Sequence, residues 1–197
     1  MDLRPLSRRF YARPALEVAP DLIGRLVVRE IRGRLLVGRI VEAEAYGPDD
    51  PASHSFRGQK RRNRTMFGPP GHAYVYVSHG IHHCMNAVAR PPSAVLLRAV
   101  EPLVGQDLMQ RRRGTEDPRL LCAGPGRLCE AFGVDLRWDG HDLTVATGLW
   151  LARGRRADRV VATTRVGLTV AAERPWRFVE EGSRFASRGP RWGATRD

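Results

Sequence analysis

The sequence predicts an α+β fold: a single domain built on a mostly antiparallel β-sheet with surrounding helices. Three observations carry that prediction. Strand-like segments are mixed with helix-like ones, without the regular strand–helix alternation of a parallel sheet. Two early strand patterns are joined by a tight "RGR" connection of hairpin type. A chain of 197 residues is long enough for one sizeable core and short for two. The expected domain spans residues 1–197, with a weakly ordered basic tail from about Gly182.

Taken in order, Pro14 to Ile23 predicts a short helix closed by Gly24, with Pro20 weakening its second half. "RLVVREI" and "LLVGRIVEAEAY" read as the two strands of the hairpin. From Gly47 to Pro70 the chain is loop-like, dense in Pro, Asp, Ser, Gly and basic residues, and a connection that long in a compact domain is usually functional. "HAYVYVSHG" is an aromatic and β-branched strand, and "SAVLLRAVEP" is an apolar one interrupted by Arg98. The intervening "GIHHCMNAVARPP" fits neither template. Pro102 is expected to open a helix over "LVGQDLMQRRRG" that stops at Gly114, its terminal arginines suiting a helix C-terminus. "CAGPGRLCEAFGV" is a Gly-Pro-Gly turn feeding a helix, and "DLTVATGLWLARG" and "RVVATTRVGLTVA" supply late strands.

Lys and Arg total 33 against 21 acidic residues, a formal net charge of +12. Such an excess favours a polyanionic partner, nucleic acid or an anionic membrane surface, although a basic proteome would give the same balance. Three cysteines without CxxC spacing indicate neither a disulfide framework nor a zinc ribbon, and a reducing compartment is expected. The N-terminus lacks the apolar core of a signal peptide and no apolar run reaches membrane-spanning length. A soluble protein of a bacterial cytoplasm, associated with the nucleoid, without membrane attachment and monomeric, is expected.

Chemistry is concentrated in a few places. Glu42, Glu44 and Tyr46 occupy alternate positions of one strand and so share a face. That face is either solvated or the wall of a cleft in which a carboxylate acts as general base beside a stacking ring. Tyr74, Tyr76 and Ser78 share a face of another strand, and Arg98, a charge inside an apolar run, requires a carboxylate or a site. Gly124-Pro125-Gly126 ahead of a helix, followed by Arg127, is a plain turn or a phosphate-binding helix start. His79, His82, His83 and Cys84 match no compact zinc spacing, so neither metal nor cofactor is expected.

Six motifs in one order, "VEAEAYGPDDPASHS", "RNRTMF", "GHAYVYVSHGIHHCMN", "AVLLRAVEP", "LCAGPGRLCEAFGV" and "TRVGL", closely resemble the alkyladenine (3-methyladenine) DNA glycosylase family over residues 7 to 188. The resemblance implies a monofunctional enzyme acting on double-stranded DNA without metal or cofactor. It would flip alkylated or deaminated purines from the duplex and hydrolyse the N-glycosidic bond. On matching positions it implies Glu44 as the base that activates water, with Arg98 and the carbonyl of Val166 holding that water. Tyr46, His54 and Tyr76 would sandwich the base, Asn86 would screen out guanine, and Leu96 would line the pocket. His79 stands where better-known members have a wedging tyrosine. Phosphate contacts are expected from Arg57, Lys60, Arg61, Arg62 and Arg64 and from Gly124, Gly126 and Arg127. Lys60 is the only lysine, which disfavours a Schiff-base strand nick. The competing readings are a non-catalytic nucleic-acid-binding relative and a metal-dependent hydrolase using the histidines.

Overall fold

Two backbone positions dictate the hairpin that opens the sheet. Arg32 and Gly33 both have positive φ (49° and 75°), the geometry of a two-residue turn whose twist matches that of its strands. They connect β1 (Leu26–Ile31) to the long β2 (Arg34–Tyr46). The computed structural model describes residues 1–187. Ahead of the hairpin lie a single helical turn, α1 (Arg8–Tyr11), and α2 (Ala15–Leu22). The chain leaves α2 through Gly24 at φ 88°, where a β-carbon would run into the Arg155 carbonyl.

After the long loop and its 3₁₀ stretch at Arg61–Phe67 come β3 (Ala73–Ser78), β4 (His82–Val88) and β5 (Ala94–Val104). The "GIHHCMNAVARPP" segment that fits neither template is thus largely a strand. Helices α3 (Gln106–Arg113), α4 (Pro118–Leu121) and α5 (Pro125–Phe132) follow, then the short strands β6 (Leu149–Ala152), β7 (Val160–Thr163) and β8 (Arg177–Glu180). The strands form one sheet in the order β3-β4-β5-β2-β1-β6, with β8 joining β2 to β7, and every pairing is antiparallel.

The α+β prediction stands, with local corrections. The helix expected from Pro102 begins at Gln106, because β5 stays paired with β2 as far as Val104. Helix entry is set by Gly105 at φ 76°, where a β-carbon would strike Leu36. The late strands are four residues each, and β8 had no counterpart in the sequence reading. At the start of the predicted tail, Phe185 is buried against Val41 and Ala99. The remainder of that tail, from residue 188, lies outside the described residues.

Strand alternation sorts the sheet into two faces. Ala43 and Ala45 of β2, Val95 and Leu97 of β5, Met85 and Ala87 of β4, and Ala73 and Val75 of β3 enter the main core, where α2 and α5 add Val18, Leu22, Leu128 and Phe132. The interleaved residues of the same strands face the other way. They include Glu42, Glu44, Tyr46, Tyr74, Tyr76, Asn86 and Leu96.

Candidate active site

One rung of the sheet organises the site. Glu44 pairs with Leu96, Leu96 with Asn86, and Asn86 with Tyr74, so four strands contribute one residue each to a single line across this face. Two residues along their strands, Tyr46 on β2, paired with Ala94, and Tyr76 on β3, paired with Cys84, lie on opposite sides of this line. The β2–β5 register slips on either side of Glu42: Val41 is extra on one strand and Arg98 on the other. Such bulges re-aim side chains, and Arg98 is directed onto the carboxylates of β2.

Glu44 has no exposed surface. Its Oε2 accepts a hydrogen bond from the Tyr46 hydroxyl at 2.8 Å and its Oε1 one from the Val166 backbone N–H at 2.9 Å. Arg98 approaches Oε2 at 3.3 Å through one terminal nitrogen, while its Nε donates to Glu42 at 2.7 Å. Burial, and then the charge of Glu44, pushes the Tyr46 phenol far above its ordinary value, so its proton stays in place as a donor. Arg98 is itself buried, but Glu44 and Glu42 outweigh that burial and hold its pKa above the usual value.

Beside this cluster lies a small pocket of about 100 Å³ lined by Tyr46, Ala52, His54, Met66, Tyr74, Tyr76, Asn86 and Leu168. His54 meets Tyr76 edge to face with ring centroids 4.6 Å apart and shares a 2.8 Å hydrogen bond between Nδ1 and the Tyr74 hydroxyl. Burial and then the nearby Arg62 lower the imidazole pKa, which keeps His54 neutral. The Asn86 amide is fixed by donation to the Tyr74 carbonyl at 3.0 Å. The loop that carries His54 is held by buried Asn63, whose Nδ2 donates to the His54 and Gly58 carbonyls and whose Oδ1 accepts from the Lys60 N–H.

A wider groove adjoins the pocket and shares Tyr46, Tyr76 and Leu168 with it. Leu96, Arg98, Val166, His79, Gly124, Gly126 and Arg127 line it. The start of α5 therefore opens onto the groove, and Gly126 allows the close approach, since a β-carbon there would sit 3.1 Å from the His82 ring. His79 is a central residue of the β3–β4 turn, at φ 51°, and also lines a third groove that contains Arg61 and Arg62. Next to it on the same turn, Ile81 is 71% exposed.

The structure thus brings Tyr46, His54, Tyr76 and Asn86 to the pocket and Leu96, Arg98 and Val166 to the adjoining groove, with Glu44 buried directly behind them. Arg57, Lys60, Arg61, Arg62, Arg64 and Arg127 are exposed, and among the described residues none has an acidic partner, whereas Arg4, Arg8, Arg13, Arg34 and Arg39 all do. Arg57, Lys60 and Arg64 stand on the loop outside these grooves. Among the described residues, no group of three or more His, Cys, Asp or Glu side chains is placed to hold a metal ion. All three cysteines are free and buried.

Sequence reasoning gave no role to a second layer. Arg165, one residue before Val166, is fully buried in an ion pair with Asp50 and stacks 4.7 Å from the Tyr46 ring centroid. Glu42 is fully buried and accepts hydrogen bonds from Arg98 and Arg177. The signal that flagged Arg98, a charge amid apolar neighbours, is weaker for these residues because their surroundings are assembled from distant segments.

The family model for methylpurine-DNA glycosylase matches residues 9–184. The chain belongs to that family. It is accordingly a DNA-repair enzyme of the class that hydrolyses N-glycosyl bonds, and DNA is its substrate. A relative from Agrobacterium fabrum is 51% identical over 93% of this chain and 92% of its own. One from Carboxydothermus hydrogenoformans is 44% identical over 93% and 98%. A third, from Methanoculleus marisnigri, is 47% identical over 93% and 98%. All three carry the name "Putative 3-methyladenine DNA glycosylase". No helix among the described residues is long and apolar enough to cross a membrane.

Proposed function

We propose that this enzyme excises 3-methyladenine and related damaged purines that have been flipped out of duplex DNA, using water activated by Glu44. The observation that carries the reading is the position of Glu44: a buried carboxylate behind a ring-lined pocket, held by Tyr46 and Val166 and touched by Arg98. In the free protein the Tyr46 hydroxyl covers Oε2, so a base entering beside Tyr46 parts that hydrogen bond and lets water reach the carboxylate. Among the described residues the Val166 carbonyl accepts no hydrogen bond, which leaves it free, with Arg98, to orient the water. The water oxygen bonds to the anomeric carbon, its proton passes to Glu44, and the bond to the purine nitrogen breaks with its electron pair leaving on the base. The sugar becomes cationic on the way, and Glu44 stabilises that charge.

His54 and Tyr76, already in contact, form one wall for the base and Tyr46 the other. Rings of this kind favour electron-poor alkylated purines, several of them cationic, by stacking and cation–π attraction. The fixed Asn86 amide sits where it excludes guanine. His79 fills the gap left in the duplex, and the basic loop with Arg127 contacts phosphates. The only lysine, Lys60, is exposed on the loop and away from the pocket, so base release proceeds without a Schiff base and the enzyme is monofunctional.

The test is single-turnover base release from duplexes carrying hypoxanthine, ethenoadenine or alkylated purines. Glu44→Gln is expected to abolish release and keep DNA binding. Release by Glu44→Gln at the wild-type rate would overturn the assignment of the base.

A further inference from the structure

Glu42 makes four hydrogen bonds without touching the pocket. Its Oε1 accepts from Arg98 Nε at 2.7 Å, Arg177 Nε at 2.7 Å and Ser187 Oγ at 2.8 Å, and its Oε2 from the Ser187 N–H at 2.6 Å. Arg98 is therefore divided between partners. Its Nε edge belongs to Glu42, its NH2 donates to Ser187 Oγ at 3.3 Å, and only NH1 reaches toward Glu44.

A guanidinium released from such a clamp has a better option. It would turn its fork to Glu44 and form a bidentate pair, neutralising the carboxylate and occupying the space beside Oε2. The clamp is built from the C-terminal part of the chain. Strand β8 places Arg177 opposite Glu44 on β2, and Phe185 packs on Val41, itself one bulged residue, and on Ala99, the neighbour of the other.

We propose that Glu42, locked by Arg177 and by the segment ending at Ser187, is the positioning residue of the site, holding Arg98 in a single-contact approach to Glu44 so that the carboxylate keeps its charge and its access to water. This rests on the reading of Glu44 and Arg98 given above. Glu42 meets neither the base nor the reacting water, and it acts through Arg98. The apolar C-terminal anchor is thereby part of the catalytic apparatus although it lies behind the sheet face.

The experiment is a double-mutant cycle in single-turnover base release, with DNA binding and thermal melting measured on every variant. Glu42→Gln is expected to lower the maximal rate by about a hundredfold, the scale of a misplaced catalytic group. The enzyme concentration for half-saturation should shift by no more than about twofold, and in an Arg98→Ala background Glu42→Gln should cost no more than about twofold further. Equal losses in both backgrounds, or a wild-type rate for Glu42→Gln, would overturn the proposal. Should Glu42→Gln not fold, Ser187→Ala, which removes one hydroxyl, enters the same cycle. A loss of about tenfold that vanishes without Arg98 supports the proposal, while an additive loss or none defeats it. No release by the wild type from any lesion would instead defeat the chemistry assigned to Glu44, and so the two failures are told apart.

Discussion

Asp50→Asn removes one charge and almost no volume, and the structure predicts a large effect. Asp50 and Arg165 have no exposed side-chain surface. Both terminal nitrogens of Arg165 donate to the Asp50 carboxylate, and further bonds run to the carbonyls of Ala45 and Ala171 at 3.2 Å. Asparagine would leave the guanidinium buried without a counter-charge, a change that costs about 3–5 kcal/mol. For a chain of this length each kcal/mol moves Tm by about 2–4 °C, so the expected fall is about 6–20 °C. Base release should drop as well, because Arg165 adjoins Val166 and backs the Tyr46 ring at 4.7 Å. Scanning calorimetry and single-turnover release read the two effects. The double substitution Asp50→Leu with Arg165→Met, which replaces the pair with apolar side chains, should recover most of the Tm but not the rate. An Asp50→Asn protein that melts within about 2 °C of the wild type would refute the reasoning, since no buried charge would then have been stranded.

The turn that carries His79 offers a test of the wedge. His79→Tyr should raise the flipped fraction in a base-analogue fluorescence assay, and Ile81→Ser should lower it by about 5–30-fold through the loss of roughly 1–2 kcal/mol of apolar burial; unchanged fluorescence in both would remove the turn from the interface. Arg57, Lys60, Arg61, Arg62, Arg64 and Arg127, if all six engage phosphates, give a slope of log affinity against log salt of about −5, and Arg62→Ala should reduce its size by about 1. A flat titration would place the DNA on another face. For His54 the sign follows from its depressed folded-state pKa, below the ordinary 6.5. The unfolded chain takes up the proton first, so the stability His54 contributes is complete above about pH 6.5 and lost as pH falls through the folded value. His54→Gln should therefore show a shallower decline of Tm in acid, and superimposable Tm–pH curves would contradict the neutral buried imidazole.

Much of this was legible in the chain, for reasons that can be located. Alternation along "VEAEAY" and "HAYVYVS" put Glu42, Glu44 and Tyr46, and Tyr74 and Tyr76, on shared faces because strand geometry allows nothing else. Arg98 was conspicuous because its immediate neighbours are apolar. Long-range pairing was not legible. β8 is four residues long and owes its conformation to β2 on one side and β7 on the other, and no local pattern announces that. Pro102 looked like a helix start because its local preference is one, but pairing with β2 outweighed it. The partners of Glu42 were not legible for the same reason: they lie 56, 135 and 145 residues away.

The charges around the site bear on the chemistry proposed for Glu44. Three carboxylates are buried among the described residues, Glu42, Glu44 and Asp50, and three arginines, Arg98, Arg165 and Arg177. The groups balance, which is what makes burying them tolerable. The balance is not shared evenly. Glu42 takes two arginines at 2.7 Å each, and these outweigh its burial and hold its carboxyl below the usual range. Asp50 takes Arg165 through both oxygens. Glu44 is left with neutral donors, a phenol and a backbone N–H, and a single guanidinium contact at 3.3 Å. It is the buried carboxylate whose charge is least neutralised, and it lies beside the pocket wall. A cation forming at the sugar would meet there a fixed negative charge in a site from which water is mostly excluded, where such an interaction is strongest. Strengthening the Arg98–Glu44 contact would spoil this even while adding a salt bridge, so an otherwise stabilising interaction at this position should slow the enzyme.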